Sequence, residues 1–291
     1  MARILITGGT GLVGKKLTEM LIDKNHEVII LSRNPTKENE YKWDILSNYV
    51  DEKALLHTDY MIHLAGAGIA DERWTAKRKQ VIIDSRVNSA NLLFDKISEL
   101  KINLKGFISA SGIGYYGAVT SDTIFKETDK AGTDFLADVC QKWENAAHQF
   151  STKNIPVTIL RTGIVLADKG GALDKMKTPI ISPLGSGNQF LPWIHIDDLC
   201  LMYIKAIDDN LTGIFNAVAP EHQTSKTFSK TLAKSIKRPF VGIGVPSFML
   251  NLLFGELAII LLEGSRISAK KIEKSGFSFR FDTLKKALKN V

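Results

Sequence analysis

Residues 4–14 read Ile-Leu-Ile-Thr-Gly-Gly-Thr-Gly-Leu-Val-Gly, and no other stretch of the 291-residue chain restricts its fold as tightly. Ile4, Leu5 and Ile6 form an apolar run that suits a strand buried on both faces. Gly8, Gly9 and Gly11 permit a tight turn, and Gly14 lets the following helix lie close to the sheet. A helix started this way presents free backbone N–H groups to an anion. Gly8, Gly9, Thr10, Gly11, Leu12, Val13 and Gly14 are therefore the candidate cradle for a dinucleotide pyrophosphate. A glycine pattern can also be an ordinary turn, but this one stands between an apolar strand and an amphipathic helix, the context the cradle requires.

The rest of the chain repeats the strand and helix alternation. Leu17, Met20 and Leu21 mark the inward face of a first helix, and Val28 to Leu31 form a second apolar strand. Further strands are read at Tyr60–Leu64, Gly106–Ser109, Val157–Arg161 and Gly213–Val218. Trp74–Leu100 reads as one or two helices carrying Val81, Val87, Leu92, Leu93 and Ile97, and helical spacing also covers about 135–150. Strands separated by helices of this length imply an α/β protein with a doubly wound parallel sheet.

After Leu166 the rhythm changes, with Gly170, Gly171, Pro179, Pro183, Gly185, Gly187 and Pro192 in one loop-rich stretch. Asp197 is read as the cap of a helix running to about Ile207. The expected division is a dinucleotide-binding domain of residues 1–165 and 191–217, and a smaller substrate domain of residues 166–190 and 218–291. Pro246–Leu262 is read as the core of that small domain, with an exposed stripe that forms a dimer or covers the cleft as the alternative.

Cys140 and Cys200, the two cysteines, are too few for a disulfide framework or a zinc site, and no metal is expected. The longest apolar stretch, Met249–Leu262, is interrupted by Asn251, Gly255 and Glu256 and falls short of the about 20 residues a bilayer span needs. With no leader read ahead of the first strand, a cytoplasmic setting without membrane contact is expected. The net charge of +7 sits mostly after Arg266. No nucleic-acid-binding module accompanies it, so the basic segment is read as a solvated face, with attraction of an anionic substrate or partner as the alternative.

Cofactor choice is read at the end of the second strand, where an acidic residue would bind the ribose hydroxyls of NAD. This chain has Ser32 and Arg33 there. An arginine pairs with a 2′-phosphate that a carboxylate would repel, so NADP(H) is the expected cofactor.

The glycine turn, Asp44-Ile45, His63-Leu64-Ala65-Gly66, and Ser109-Ala110-Ser111 leading to Tyr116-Gly117 together resemble the extended short-chain dehydrogenases/reductases, which include the nucleotide-sugar epimerases. Pro192-Trp193-Ile194-His195-Ile196-Asp197-Asp198 is similar to that family's segment between sheet and substrate domain. Arg73-Trp74, Ser85-Arg86, Trp143-Glu144, Arg161-Thr162-Gly163 and Gly276-Phe277 resemble its atypical branch of epimerase-family proteins, whose reaction is generally undefined. The resemblance implies a Rossmann-like fold and a small-molecule substrate. It adds Asp44 and Ile45 near the adenine, Leu64, Ala65 and Gly66 beside the adenosine and pyrophosphate, and Ser109 to the cofactor contacts. A homodimer is implied at family level only.

Active members carry Tyr-x-x-x-Lys, because a tyrosine of pKa near 10 needs a neighbouring ammonium to act as a base at neutral pH. Here the register set by Glu144 puts Leu136 and Cys140 at those two places. Tyr49 and Lys53 match the spacing only by coincidence, in a segment before the His63 strand. Ser111 matches the serine that hydrogen-bonds the reacting oxygen, and Tyr115 and Tyr116 are candidates to reach the same space. Asp138, Lys142 and Glu144 could form a substitute acid–base group or a solvated face. His195 is read as structural and Trp193 as lining the pocket mouth. Two functions stay open: an NADP(H)-dependent oxidoreductase or epimerase acting on a hydroxyl, carbonyl or nucleotide-sugar compound, and a non-catalytic NADP(H)-binding sensor or scaffold.

Overall fold

Ile4 to Thr7 are all fully buried, and they make β1 (Arg3–Thr7) the centre of the molecule in a computed structural model that describes residues 1–291. α1 (Leu12–Asp23) and β2 (Glu27–Ser32) complete the first unit, followed by β3 (Glu40–Asp44), β4 (Tyr49–Val50), α2 (Glu52–Leu55) and β5 (Tyr60–His63). Next come α3 (Ala76–Glu99), β6 (Gly106–Gly112), β7 (Ile124–Phe125), α4 (Phe135–His148), β8 (Val157–Thr162) and β9 (Ile164–Leu166). α5 (Gly171–Met176), β10 (Trp193–His195), α6 (Ile196–Asp208) and β11 (Gly213–Ala217) lead to the last segment. That segment holds α7 (Ser225–Ser235), α8 (Ser247–Phe254), α9 (Ile259–Leu262), β12 (Arg266–Ile267), α10 (Lys270–Lys274) and α11 (Leu284–Ala287).

Eight strands form the main sheet in the order β11-β8-β6-β5-β1-β2-β3-β4. All neighbours in it are parallel except β3 and the edge strand β4. Alternate side chains serve two layers, as the pleat requires. Ile4 and Ile6 pack with Leu17, Leu21, Leu199 and Tyr203 from α1 and α6. Leu5 and Ile29 pack with Leu93 from α3, with Phe107, and with Ala147 of α4. Thr7 lies beside Leu31 and His63, and His63 beside Ser109, so the strands end together along one edge. The chain moves outward from β1 to β3 on one side and returns to β5 on the other. That reversal opens a crevice at the carboxyl ends of the strands.

Three local expectations are corrected. His195, not Asp197, caps α6, since its Nδ1 accepts the Asp197 N–H at 3.1 Å. The fully buried Asp198 instead accepts the N–H groups of Arg280 and Phe281 at 2.9 and 3.0 Å, tying the C-terminal segment to α6. Trp193 is fully buried rather than at a pocket mouth, in an apolar cluster with Leu166, Leu191, Phe228, Leu232 and Leu284. This cluster is the smaller core, so Pro246–Leu262 is not. α8 is apolar all round but buries only Leu250, while Phe248 and Leu252 stay 69% and 76% exposed. No helix is long and apolar enough to cross a membrane.

Candidate active site

The turn after β1 has the geometry its glycines require. Gly8 has φ +70°, and a Cβ on it would come within 2.9 Å of the Leu64 carbonyl carbon. A Cβ on Gly14 would overlap the Gly8 carbonyl oxygen, so only glycine lets α1 start this close to the turn. The Gly11 N–H closes the turn on the Gly8 oxygen at 3.0 Å. α1 then begins with no side-chain cap and no acidic residue in its first turn. Its first N–H groups and the positive end of its dipole are left for an external anion. Thr10 and Gly11 are exposed at the tip, Leu12 and Val13 half-buried behind it.

The other expected cofactor residues lie on adjoining strand ends. The Leu64 and Ala65 N–H groups donate to the Thr7 carbonyl and hydroxyl, each at 3.2 Å, which seats residues 64–66 against the glycine turn. Ser32 ends β2, and Arg33 beside it is exposed with no carboxylate or hydrogen-bond partner. Asp44 ends β3, where the Ser47 hydroxyl and the Leu46 N–H hold its carboxyl below the usual range. A Rossmann-type dinucleotide fits this cradle: a turn too tight for a Cβ at Gly8 or Gly14, an uncapped helix start and a free guanidinium converge at one edge of the sheet. Ser109 differs. It is fully buried inside the sheet with its hydroxyl on the Ala110 carbonyl, so its side chain is withdrawn from the cofactor surface.

Beside the cradle, the β6 end leads into a buried polar network. The Ser111 hydroxyl donates to Glu144 Oε1 at 2.7 Å. Arg161 grips the same carboxylate with two bonds of 2.8 Å, from Nε and Nη2. Its Nη1 donates to the Tyr116 hydroxyl at 3.0 Å, which donates to Asn216 Oδ1 at 2.6 Å. The Tyr115 ring lies against the Arg161 guanidinium, 3.3 Å from Cζ to centroid. Burial opposes the Arg161 charge, but the Glu144 carboxylate outweighs it and holds the guanidinium protonated. Burial also pushes the Tyr116 hydroxyl up to about 12, against the pull of Arg161. A hydroxyl so placed positions its neighbours and is a poor base at neutral pH.

α4 packs against the stretch that follows Ser111. A Cβ on Gly114 would come 3.1 Å from Leu136 Cβ, and the Cys140 thiol lies 3.5 Å from the Gly112 carbonyl. Leu136 and Cys140 thus face the stretch that follows Ser111, where the family's tyrosine and lysine would stand. Burial pushes the Cys140 thiol up to about 11. The substitute acid–base group does not assemble: Asp138 and Lys142 pair with each other at 2.7 Å on the exposed face, and Glu144 is held by Arg161. Tyr49 is in β4 at the far edge of the sheet.

Arg86 and His63 form a buried polar group that the sequence reading did not assign to the site. Arg86 is buried with no acidic partner; Nη1 donates to the Ile82 carbonyl at 2.8 Å and Nε has no partner. Its guanidinium lies 4.8 Å from the Trp143 ring and beneath Gly66, and burial lowers its pKa to about 10. His63 Nδ1 accepts from Trp143 Nε1 at 3.2 Å, which leaves the proton on Nε2 for Ser89 Oγ at 2.7 Å. Burial, aided by the Arg86 charge, lowers its pKa to about 3. The spacing Ile82, Arg86, Ser89, Leu93 on one helix was the available signal, since it puts an arginine on an otherwise inward face.

Known proteins resemble this chain over its whole length. The model of the NAD dependent epimerase/dehydratase family matches residues 4–217, and that of a domain of unknown function matches residues 245–291. An epimerase family protein of Staphylococcus haemolyticus is 33% identical, over 100% of this chain and 99% of its own length. The mouse epimerase family protein SDR39U1 is 33% identical, over 99% of each chain. The human SDR39U1 structure, solved with NADPH, superposes with a TM-score of 0.90 at 31% identity, covering 99% of this chain and 98% of that one. A nucleoside-diphosphate sugar epimerase from Corynebacterium glutamicum gives 0.80 at 31% identity, covering 99% of this chain and 57% of that one. By matched length, identity and fold, the chain belongs to the NAD-dependent epimerase/dehydratase family.

Proposed function

We propose that the protein is an NADP(H)-dependent oxidoreductase or epimerase that acts on a small hydroxyl or carbonyl compound. The observation that carries this reading is the unpaired Arg33 at the β2 end beside the uncapped start of α1. Residues Gly8–Gly14 would hold the pyrophosphate, Arg33 and Ser32 the 2′-phosphate, and Leu64–Gly66 and Asp44–Ile45 the adenosine half. Bound there, the cofactor supplies or accepts a hydride at its nicotinamide. Ser111 would donate its hydroxyl proton in a hydrogen bond to the substrate oxygen, giving up its bond to Glu144 to do so. Tyr115 would shape the wall beside it, while Tyr116, Arg161 and Glu144 position Ser111. The reading keeps residues 1–165 and 191–217 as the cofactor domain and 166–190 and 218–291 as the substrate domain, and two buried free cysteines fit a cytoplasmic protein.

Leu136 and Cys140 support a second reading, a non-catalytic NADP(H) sensor, because neither moves a proton at neutral pH. Incubation with NADPH deuterated at nicotinamide C4 and a pooled metabolite extract separates the two. A compound that gains one deuterium, absent with Ser111→Ala, supports the enzyme. NADPH binding without any label transfer supports the sensor.

A further inference from the structure

A cavity of about 940 Å³ lies among residues 69–71, 171–191 and 225–261, with 16 of its 23 lining residues hydrophobic. Its volume is that of a site for one small organic molecule, roughly 300–1,000 Å³. One end is formed by Gly171 and Ala172, and a Cβ on Gly171 would come within 3.0 Å of Leu12 in the cofactor turn. Another wall is Leu257 and Ile260, which share an apolar cluster with Leu136 and Val139 of α4. One end of the cavity is thus packed against Leu12 of the cofactor turn, and another wall is packed in the cluster that holds Leu136, the residue read at the family's tyrosine position. Arg73 ties α8 over it, donating to the Leu252 and Leu253 carbonyls at 2.5 and 2.9 Å.

The charge of this wall argues against a sugar nucleotide. A diphosphate is bound by several cations or N–H donors, whereas the charged groups here are Asp71 and Lys175. Asp71 is drawn to Arg78 at 3.7 Å, and its charge repels a phosphate. The rest of the lining consists of branched aliphatic and aromatic side chains, small residues, and hydroxyls such as Ser182 and Ser229. We infer that this cavity is the substrate site and that it takes a predominantly apolar compound, an aliphatic chain or ring system with its reacting ketone or alcohol oxygen at one end. This rests on the reading of the protein as an oxidoreductase, and it replaces a nucleotide sugar with an apolar substrate.

The test is displacement of the neutral fluorescent probe N-phenyl-1-naphthylamine from the full-length protein, with NADPH present, by 2-octanone, 2-decanone and 2-dodecanone. Burial of each methylene should tighten binding about three- to fourfold until the cavity is full. UDP-glucose should displace nothing. Ala172→Phe fills the cavity from an exposed position on α5 and should weaken 2-decanone at least tenfold while leaving NADPH binding unchanged. If Ala172→Phe unfolds, Ile260→Trp fills the opposite wall. Ketone affinities independent of chain length, or UDP-glucose displacement that the filling variants abolish, would overturn the inference. Deuterium transfer to a sugar nucleotide would also overturn it while leaving the oxidoreductase reading intact. Ketones that bind with the expected series yet never gain deuterium would sustain the apolar site and refute the oxidoreductase reading.

Discussion

Replacing Arg161 by methionine removes the centre of the buried network while roughly keeping its volume. The Arg161 and Glu144 side chains are 1% and 5% exposed, so the variant strands a carboxylate whose remaining side-chain donor is Ser111. Removing one partner of such a pair costs about 3–5 kcal/mol. Unfolding entropy of about 2.1 cal/mol/K per residue amounts to roughly 0.6 kcal/mol/K for 291 residues. The expected fall in Tm is then about 5–8 °C. The double variant Arg161→Met/Glu144→Leu lacks the stranded charge and should recover about half of the loss, because an apolar pair removes the desolvation penalty. Thermal and urea unfolding followed by circular dichroism measure both. A single variant less than about 1 kcal/mol below the parent, or a double variant no better than the single, would refute the claim that this pair is desolvated and coupled.

Arg33→Ala should weaken NADPH by about 1–3 kcal/mol and leave NADH nearly unchanged, the scale of one charge-assisted hydrogen bond; equal losses in a fluorescence titration would contradict the 2′-phosphate assignment. Gly14→Ala puts a methyl onto the Gly8 carbonyl, so α1 must move off the turn. NADPH affinity should fall at least about tenfold, a loss of about 1.4 kcal/mol, and unchanged affinity would show that the turn does not shape the cradle. His63 titrates near 3 when folded and about 6.5 when unfolded. Its contribution is therefore complete above about pH 6.5 and is lost as pH falls, by ~2 kcal/mol at pH 5. His63→Gln should unfold with a shallower pH dependence between 7.5 and 5, and identical slopes would show that the buried ring is not the source.

The cradle was legible because its logic is local. A buried strand, a turn with positive φ at Gly8 and a helix start at Leu12 occupy eleven consecutive residues, and glycine at Gly14 answers a contact only six residues away. The parallel sheet was legible for a related reason, since its central strands β1, β2 and β5 are mainly apolar and the crossovers are long enough for helices, whereas the polar β3, Glu-Tyr-Lys-Trp-Asp, was not read. The cap of α6 misled because Asp197 is a good capping residue by type, while the chain needs the buried His195 for that bond.

What the sequence by itself determined, then, is the dinucleotide-binding half and the absence of a tyrosine–lysine pair on α4. Only the tertiary structure decided what surrounds that absence. Ser111 and Tyr116, Glu144, Arg161, and Asn216 come from four separate segments, and nothing in their spacing announces one hydrogen-bonded chain. The contact of Arg86 with Gly66 depends on how α3 packs against the segment after β5. Pro246–Leu262 looked like core because apolar residues usually are, yet α8 lies at the rim of a cavity with its outer face unpaired. Composition records how much apolar surface a chain carries, whereas packing between distant segments decides whether that surface fills a core or lines a space for something else.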